Sequence, residues 1–141
     1  MELINVPFCL PFINKDIEKE VYSCLNETGW LTTGPKVREF ENEIAKLCNT
    51  KSVICVNSWT SGMLLLLKWL KLDITDEVIV PVYTYAASAL SVINSNIKCV
   101  YVDVNEDYTI NIDCVKNAIT KNTKAIMPVD LGGMPADYEN L

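Results

Sequence analysis

The loop Asn57-Ser-Trp-Thr-Ser-Gly62 gathers three hydroxyl side chains between a β-branched run and a long apolar one. A helix that starts after a buried strand offers unpaired N–H groups and partial positive charge at its first turn, where open α/β sheets take anions. Ser58, Thr60 and Ser61 add hydroxyl donors there, Gly62 permits close backbone approach, and a phosphate fits such a loop. Simple N-capping by Ser58 or Thr60 accounts for the same residues without a ligand. There is no GxGxxG and no Walker lysine to suggest a nucleotide loop. Further on, Pro81-Val-Tyr-Thr-Tyr85 closes a strand-like run. An aromatic at a strand's carboxyl end can stack on a planar ring; alternatively Tyr83 and Tyr85 pack against neighbouring helices. Asp130-Leu-Gly-Gly-Met-Pro135 ends another such run, and its glycines allow either close ligand approach or a plain strand-to-helix turn. The carboxylates Asp103, Glu106 and Asp107 read as a solvated loop rather than a metal site.

The chain has no histidine, which removes Ser-His-Asp triads, Cys-His pairs and His-ligated metals. Chemistry must run on carboxylates, hydroxyls, lysines or a cofactor. The six cysteines (Cys9, Cys24, Cys48, Cys55, Cys99 and Cys114) form no CxxC pair. They read as buried or half-buried free thiols of a reducing compartment. A net charge of −6 with no basic stretch argues against nucleic acid. Segment 1–11 carries an early Glu2 and no basic region, unlike a signal peptide. Run 63–72 is interrupted by Lys68 and Lys71 and falls short of the roughly 20 apolar residues a bilayer requires. These features predict a soluble, cytoplasmic protein that does not engage membranes.

Positioning those loops requires alternating elements. Residues 14–27 have helical spacing, with Ile17, Val21, Cys24 and Leu25 on one face, Asn14 as N-cap and Gly29 as terminator. Pro35 opens a second helix with a stripe of Val37, Phe40, Ile44 and Leu47. Strands are expected over 52–56, 77–81, 98–102 and 124–129, and helices over 62–72, 86–94 and 113–119. The helix over 62–72 is apolar nearly all round, so deep burial is expected. Short apolar strands alternating with helices predict an α/β fold, a mostly parallel sheet with helices on both faces. Residues 137–141 resemble the first turn of another helix, which suggests a fragment.

Taken in order, the motifs resemble the DegT/DnrJ/EryC1/StrS family of aminotransferases that use pyridoxal 5′-phosphate (PLP) on nucleotide-linked keto sugars. Gly29-Trp-Leu-Thr-Thr-Gly-Pro35 followed by Phe40-Glu41 is similar to the family's entry motif. Val56-Asn-Ser-Trp-Thr-Ser-Gly-Met63 is similar to its phosphate loop. Asp76-Glu-Val-Ile-Val-Pro81 and Tyr83-Thr-Tyr-Ala-Ala-Ser88 match its next strand and cofactor-stacking segment. Tyr101-Val-Asp-Val104 and Lys124-Ala-Ile-Met-Pro-Val129 complete the series, which runs from about Pro7 to Leu141.

The resemblance implies the large domain of a fold type I PLP enzyme, like that of aspartate aminotransferase but incomplete. Residues 1–35 would be an arm and helix, and 36–141 the first part of the PLP-binding domain. By the same resemblance Thr60 and Ser61 hold the cofactor phosphate, Tyr85 stacks on its ring, and Trp30, Thr32 and Thr33 lie near the substrate. Asp130 stands where many relatives carry histidine, and its role stays open; Trp59 is bulky for a phosphate loop. Glutamate as amino donor and a homodimer are implied as well. The lysine that binds PLP as a Schiff base falls beyond Leu141, and Lys51, Lys68, Lys98, Lys121 and Lys124 match no family lysine motif. No catalytic residue is therefore expected within the chain. In the family the first strand sits beside the last ones, so 52–56 should lack partners, and the isolated chain should be poorly stable, rearranged or aggregation-prone. A non-catalytic interaction fragment or degenerate subunit, and a PLP-dependent sugar dehydratase, are the alternatives.

Overall fold

The computed structural model describes residues 9–141; residues 1–8, where most of segment 1–11 and the start of the resemblance fall, lie outside it. The chain forms two compact units, Met1–Cys55 and Val56–Leu141. Among the described residues no helix is long and apolar enough to cross a membrane.

In the first unit, helix α1 (Lys15–Ser23) begins where the Asn14 side chain accepts the Ile17 N–H at 3.0 Å. That bond satisfies one of the orphan donors of the first turn. A π-helical turn, Cys24–Thr28, continues it until Gly29, at φ 66°, ends the helix in the left-handed region. Helix α2 (Pro35–Leu47) has its proline in the first turn, where a missing N–H costs nothing. A Cβ on Gly34, the residue before it, would sit 2.7 Å from Trp30 Cβ, so only glycine fits. Lys36 on α2 pairs with Glu20 on α1.

Run 52–56 is not a strand, contrary to its β-branched composition. It has no ladder partner among the described residues. The Cys55 N–H donates instead to Glu41 Oε1 at 2.8 Å, so a carboxylate of α2 satisfies a group that a neighbouring strand would otherwise take.

The second unit is built on three parallel strands, β1 (Glu77–Pro81), β2 (Lys98–Val102) and β3 (Thr123–Ile126), in the order β2-β1-β3. Helices α3 (Trp59–Trp69), α4 (Ala87–Asn94) and α5 (Ile112–Ala118) connect and cover them. Side chains of β1 alternate between two cores. Val78 and Val80 join Leu67 of α3, Val92 of α4, Ile97 and Met127 on one face. Ile79 joins Val102, Ile110, Val115 of α5 and Ala136 on the other. This is an α/β arrangement with helices on both faces, as expected. Strands β1 and β2 have their expected bounds. β3 ends at Ile126, earlier than expected, although the Met127 N–H still donates to the Ile79 carbonyl at 2.8 Å. Residues 138–140 form a hydrogen-bonded turn, closed by the Leu141 N–H to the Asp137 carbonyl at 3.2 Å.

Two expectations about burial are corrected. In α3 only Leu67 is buried, while Leu65, Leu66, Trp69 and Leu70 are exposed along one side. The sheet and α4 cover a single side of the helix, and composition cannot show how many sides have neighbours. Among the cysteines, Cys24, Cys55, Cys99 and Cys114 are half-buried, but Cys9 and Cys48 are exposed.

At the amino-terminal edge of the sheet Glu77 is only 4% exposed. It accepts from Lys98 Nζ at 2.7 Å, from Thr120 Oγ1 at 2.5 Å and from Thr123 Oγ1 at 3.4 Å. The Lys98 bond foremost, then that from Thr120, holds its carboxyl below the usual glutamate range. In the loop after β2, Asp103 Oδ1 accepts the Val104 N–H at 2.8 Å. Asp107 Oδ1 there accepts the Thr109 N–H and hydroxyl at 3.0 and 2.6 Å. Asp103 and Asp107 therefore shape their own loop.

Candidate functional site

Three chain segments meet in a cleft of about 410 Å³ in the second unit. The start of α3 brings Trp59 and Thr60; the β1–α4 connection brings Thr84 and Tyr85, and the first turn of α4 Ser88; the segment after β3 brings Asp130 and Tyr138. Because β1 and β3 run parallel, their carboxyl ends open at the same side, and the loops leaving them converge.

Each wall has a local cause. Ser58 caps α3, its Oγ accepting the Ser61 N–H at 3.1 Å while donating to Ser61 Oγ at 3.0 Å. Capping at Ser58 therefore does occur, and it commits the Ser61 N–H. The N–H groups of Trp59 and Thr60 have no intrahelical acceptor in such a first turn. Thr60 lines the cleft; Ser61 is half-buried and does not. Tyr85 is 82% exposed. Tyr83, by contrast, stacks on Tyr108, with ring centroids 5.0 Å apart and a 30° tilt. Thr84 and Ser88, four residues apart, share a hydroxyl hydrogen bond of 2.9 Å at the cleft wall.

The loop after β3 is more than a plain turn. Asp130 Oδ1 accepts both the Ala136 N–H and the Tyr138 hydroxyl, each at 2.9 Å. Gly132 and Gly133, at φ 63° and 84°, reverse the chain between them. The buried Ala136 anchors the loop in the core around Ile79. The carboxylate raises the Tyr138 phenol pKa above its ordinary value, because the hydrogen bond favours the protonated form.

Of the residues picked out from sequence, Thr60, Tyr85, Asp130 and Trp59 come together here. Trp30 and Thr32 line a different groove in the first unit, between α1 and α2, of about 690 Å³ and walled by Val21, Leu25, Val37 and Phe40. Thr33 is exposed and lines neither. Sequence reasoning missed Thr84, Ser88 and Tyr138. The Thr84–Ser88 spacing at a helix start was a usable signal; nothing local marks Tyr138. No lysine lines the cleft, and Asp130 is its one charged residue among those described.

Comparison with known proteins decides the family. The profile of the DegT/DnrJ/EryC1/StrS aminotransferase family matches residues 11–141. The chain belongs to this family. The spore coat polysaccharide biosynthesis protein SpsC of Bacillus subtilis is 40% identical over 95% of this chain and 34% of its own length. A sugar aminotransferase structure, Spr1654 of Streptococcus pneumoniae in its PMP-form, superposes with a TM-score of 0.90 at 38% identity, covering 97% of this chain and 35% of that one. The same protein is similar in its PLP-form. The E. coli GDP-4-keto-6-deoxy-D-mannose-3-dehydratase with bound hydrated PLP is similar too, with a TM-score of 0.90 at 27% identity over 99% of this chain and 37% of that one. The chain spans about a third of the length of the relatives it matches.

The donor set of the cleft fits the cofactor named in those structures. Thr60 and the first turn of α3 suit a phosphate, and the open Tyr85 face suits a flat ring.

Proposed function

We propose that this chain supplies the cofactor-phosphate and ring-stacking part of a PLP-dependent aminotransferase acting on nucleotide-linked keto sugars. The observation that carries the reading is the convergence of Thr60 and Tyr85 on one cleft at the carboxyl side of the sheet. In this reading the Thr60 hydroxyl and the N–H groups opening α3 hold the phosphate, and Ser61, outside the cleft lining, supports that turn through its bonds with Ser58. Tyr85 covers one face of the ring. Trp30, Thr32 and Thr33 serve the sugar substrate, and glutamate is the amino donor of a homodimeric enzyme. When bound, PLP supplies an electron sink through which an amino group passes from donor to keto sugar. The residues of this chain bind and orient; none lining the cleft can form the lysine linkage.

A dehydratase reading is favoured by one observation, the likeness to the E. coli enzyme at a TM-score of 0.90. Both readings require the same phosphate and ring site.

The test is a titration of the whole chain with pyridoxamine 5′-phosphate, followed by its fluorescence. Saturable binding is expected. Thr60→Ala and Tyr85→Ala should each weaken it by about tenfold, the scale of a hydrogen bond to a charged group or an aromatic stack. Absence of saturable binding, or binding indifferent to both substitutions, would overturn the reading.

A further inference from the structure

The Asp130 end of the cleft presents acceptors. Asp130 Oδ1 already takes two donors, the Ala136 N–H and the Tyr138 hydroxyl. Its other oxygen accepts no hydrogen bond among the described residues. The Tyr138 proton points to Asp130, so the phenol oxygen has only lone pairs left to offer. No lysine or arginine lines the cleft to offset the carboxylate. The other polar side chains there are the hydroxyls of Thr60, Thr84, Tyr85 and Ser88, which adapt to either role, and the indole N–H of Trp59.

Acceptors beside a carboxylate favour a cationic donor over a neutral one. We propose that the Asp130–Tyr138 pair makes this cleft select the amine-bearing form of the cofactor, pyridoxamine 5′-phosphate, over forms whose corresponding substituent is uncharged. The inference rests on the cofactor reading above and adds to it a preference set by two residues of this chain. Asp130 supplies the charge; Tyr138 is a positioning residue whose hydroxyl fixes the carboxylate.

The whole chain is titrated with pyridoxamine 5′-phosphate and, separately, with pyridoxine 5′-phosphate. The second probe replaces the ammonium with a hydroxyl of similar size, and neither probe carries an aldehyde that would react with surface lysines. The expected result is tighter binding of the amine by about twofold to fivefold, the range for a partly exposed charge pair. Asp130→Asn should abolish the preference. Its amide oxygen still accepts from Ala136 and Tyr138, so the loop persists while the charge is gone. Tyr138→Phe should keep a reduced preference. As a check that needs no variant, added salt should shrink the preference, because a partly exposed charge interaction is screened. Equal affinities in the unmodified chain, a preference that survives Asp130→Asn, or one indifferent to salt each overturns the proposal. If neither probe binds, the cofactor reading itself has failed.

Discussion

The Lys98 ammonium lies 2.7 Å from Glu77 Oε1, across the β1–β2 ladder at residues that are register partners. With Thr120 on the other oxygen, Glu77 joins the central strand to the start of both neighbours. Its depressed pKa means that the folded state holds the proton less tightly than the unfolded chain. The stabilisation is therefore present above the ordinary glutamate pKa and is lost as pH falls through the folded value.

Acid unfolding follows from this. Thermal midpoints measured between neutral and acid pH should fall as Glu77 becomes protonated. Glu77→Gln should be less stable at neutral pH and show a flatter acid limb. An acid limb identical in the two proteins would sink the assignment.

Substitutions along α3 should separate its two sides. Leu67→Ala, in the core, should cost about 2–5 kcal/mol in urea unfolding. Leu65→Ala, on the exposed side, should stay within about 0.5 kcal/mol. Equal costs would show that the outer side is covered in solution.

Gly132, at φ 63° and ψ 13°, has open space where a side chain would begin, with no atom within 4 Å of the Cβ an alanine would add. Replacement by alanine therefore meets only backbone strain, about 1 kcal/mol. Gly132→Asn should be milder, because asparagine tolerates the left-handed region. Chemical denaturation of the three proteins checks the order glycine, asparagine, alanine.

Lysine chemistry gives the last prediction. Incubation with PLP followed by borohydride should leave no stoichiometric label at any single lysine, since none lines the cleft. Peptide mapping that found one fully labelled site would show that this chain carries a reactive lysine of its own.

Much of the local structure was legible in the residues. Asn14, Gly29 and Pro35 set helix ends because capping and φ are properties of a residue and its nearest neighbours. The strands 77–81 and 98–102 were legible because a central run of β-branched residues has few other uses. Run 52–56 was misleading for the opposite reason. Its composition favours a strand, but a strand needs a partner, and its Cys55 N–H found Glu41 instead.

Within the candidate site, Thr60 and Tyr85 were legible as candidates because the ordered motifs single them out. Tyr138 was not, because its part depends on a hydrogen bond across a loop that two glycines reverse. By itself the sequence determined the family and the α/β alternation, both of which follow from residue type and order along the chain. Only the tertiary structure decided which side of α3 is covered, that Asp130 is tied to Tyr138, and that Thr60 and Tyr85 share one cleft. Those relationships depend on distances between residues far apart in sequence, which packing sets and local pattern does not encode.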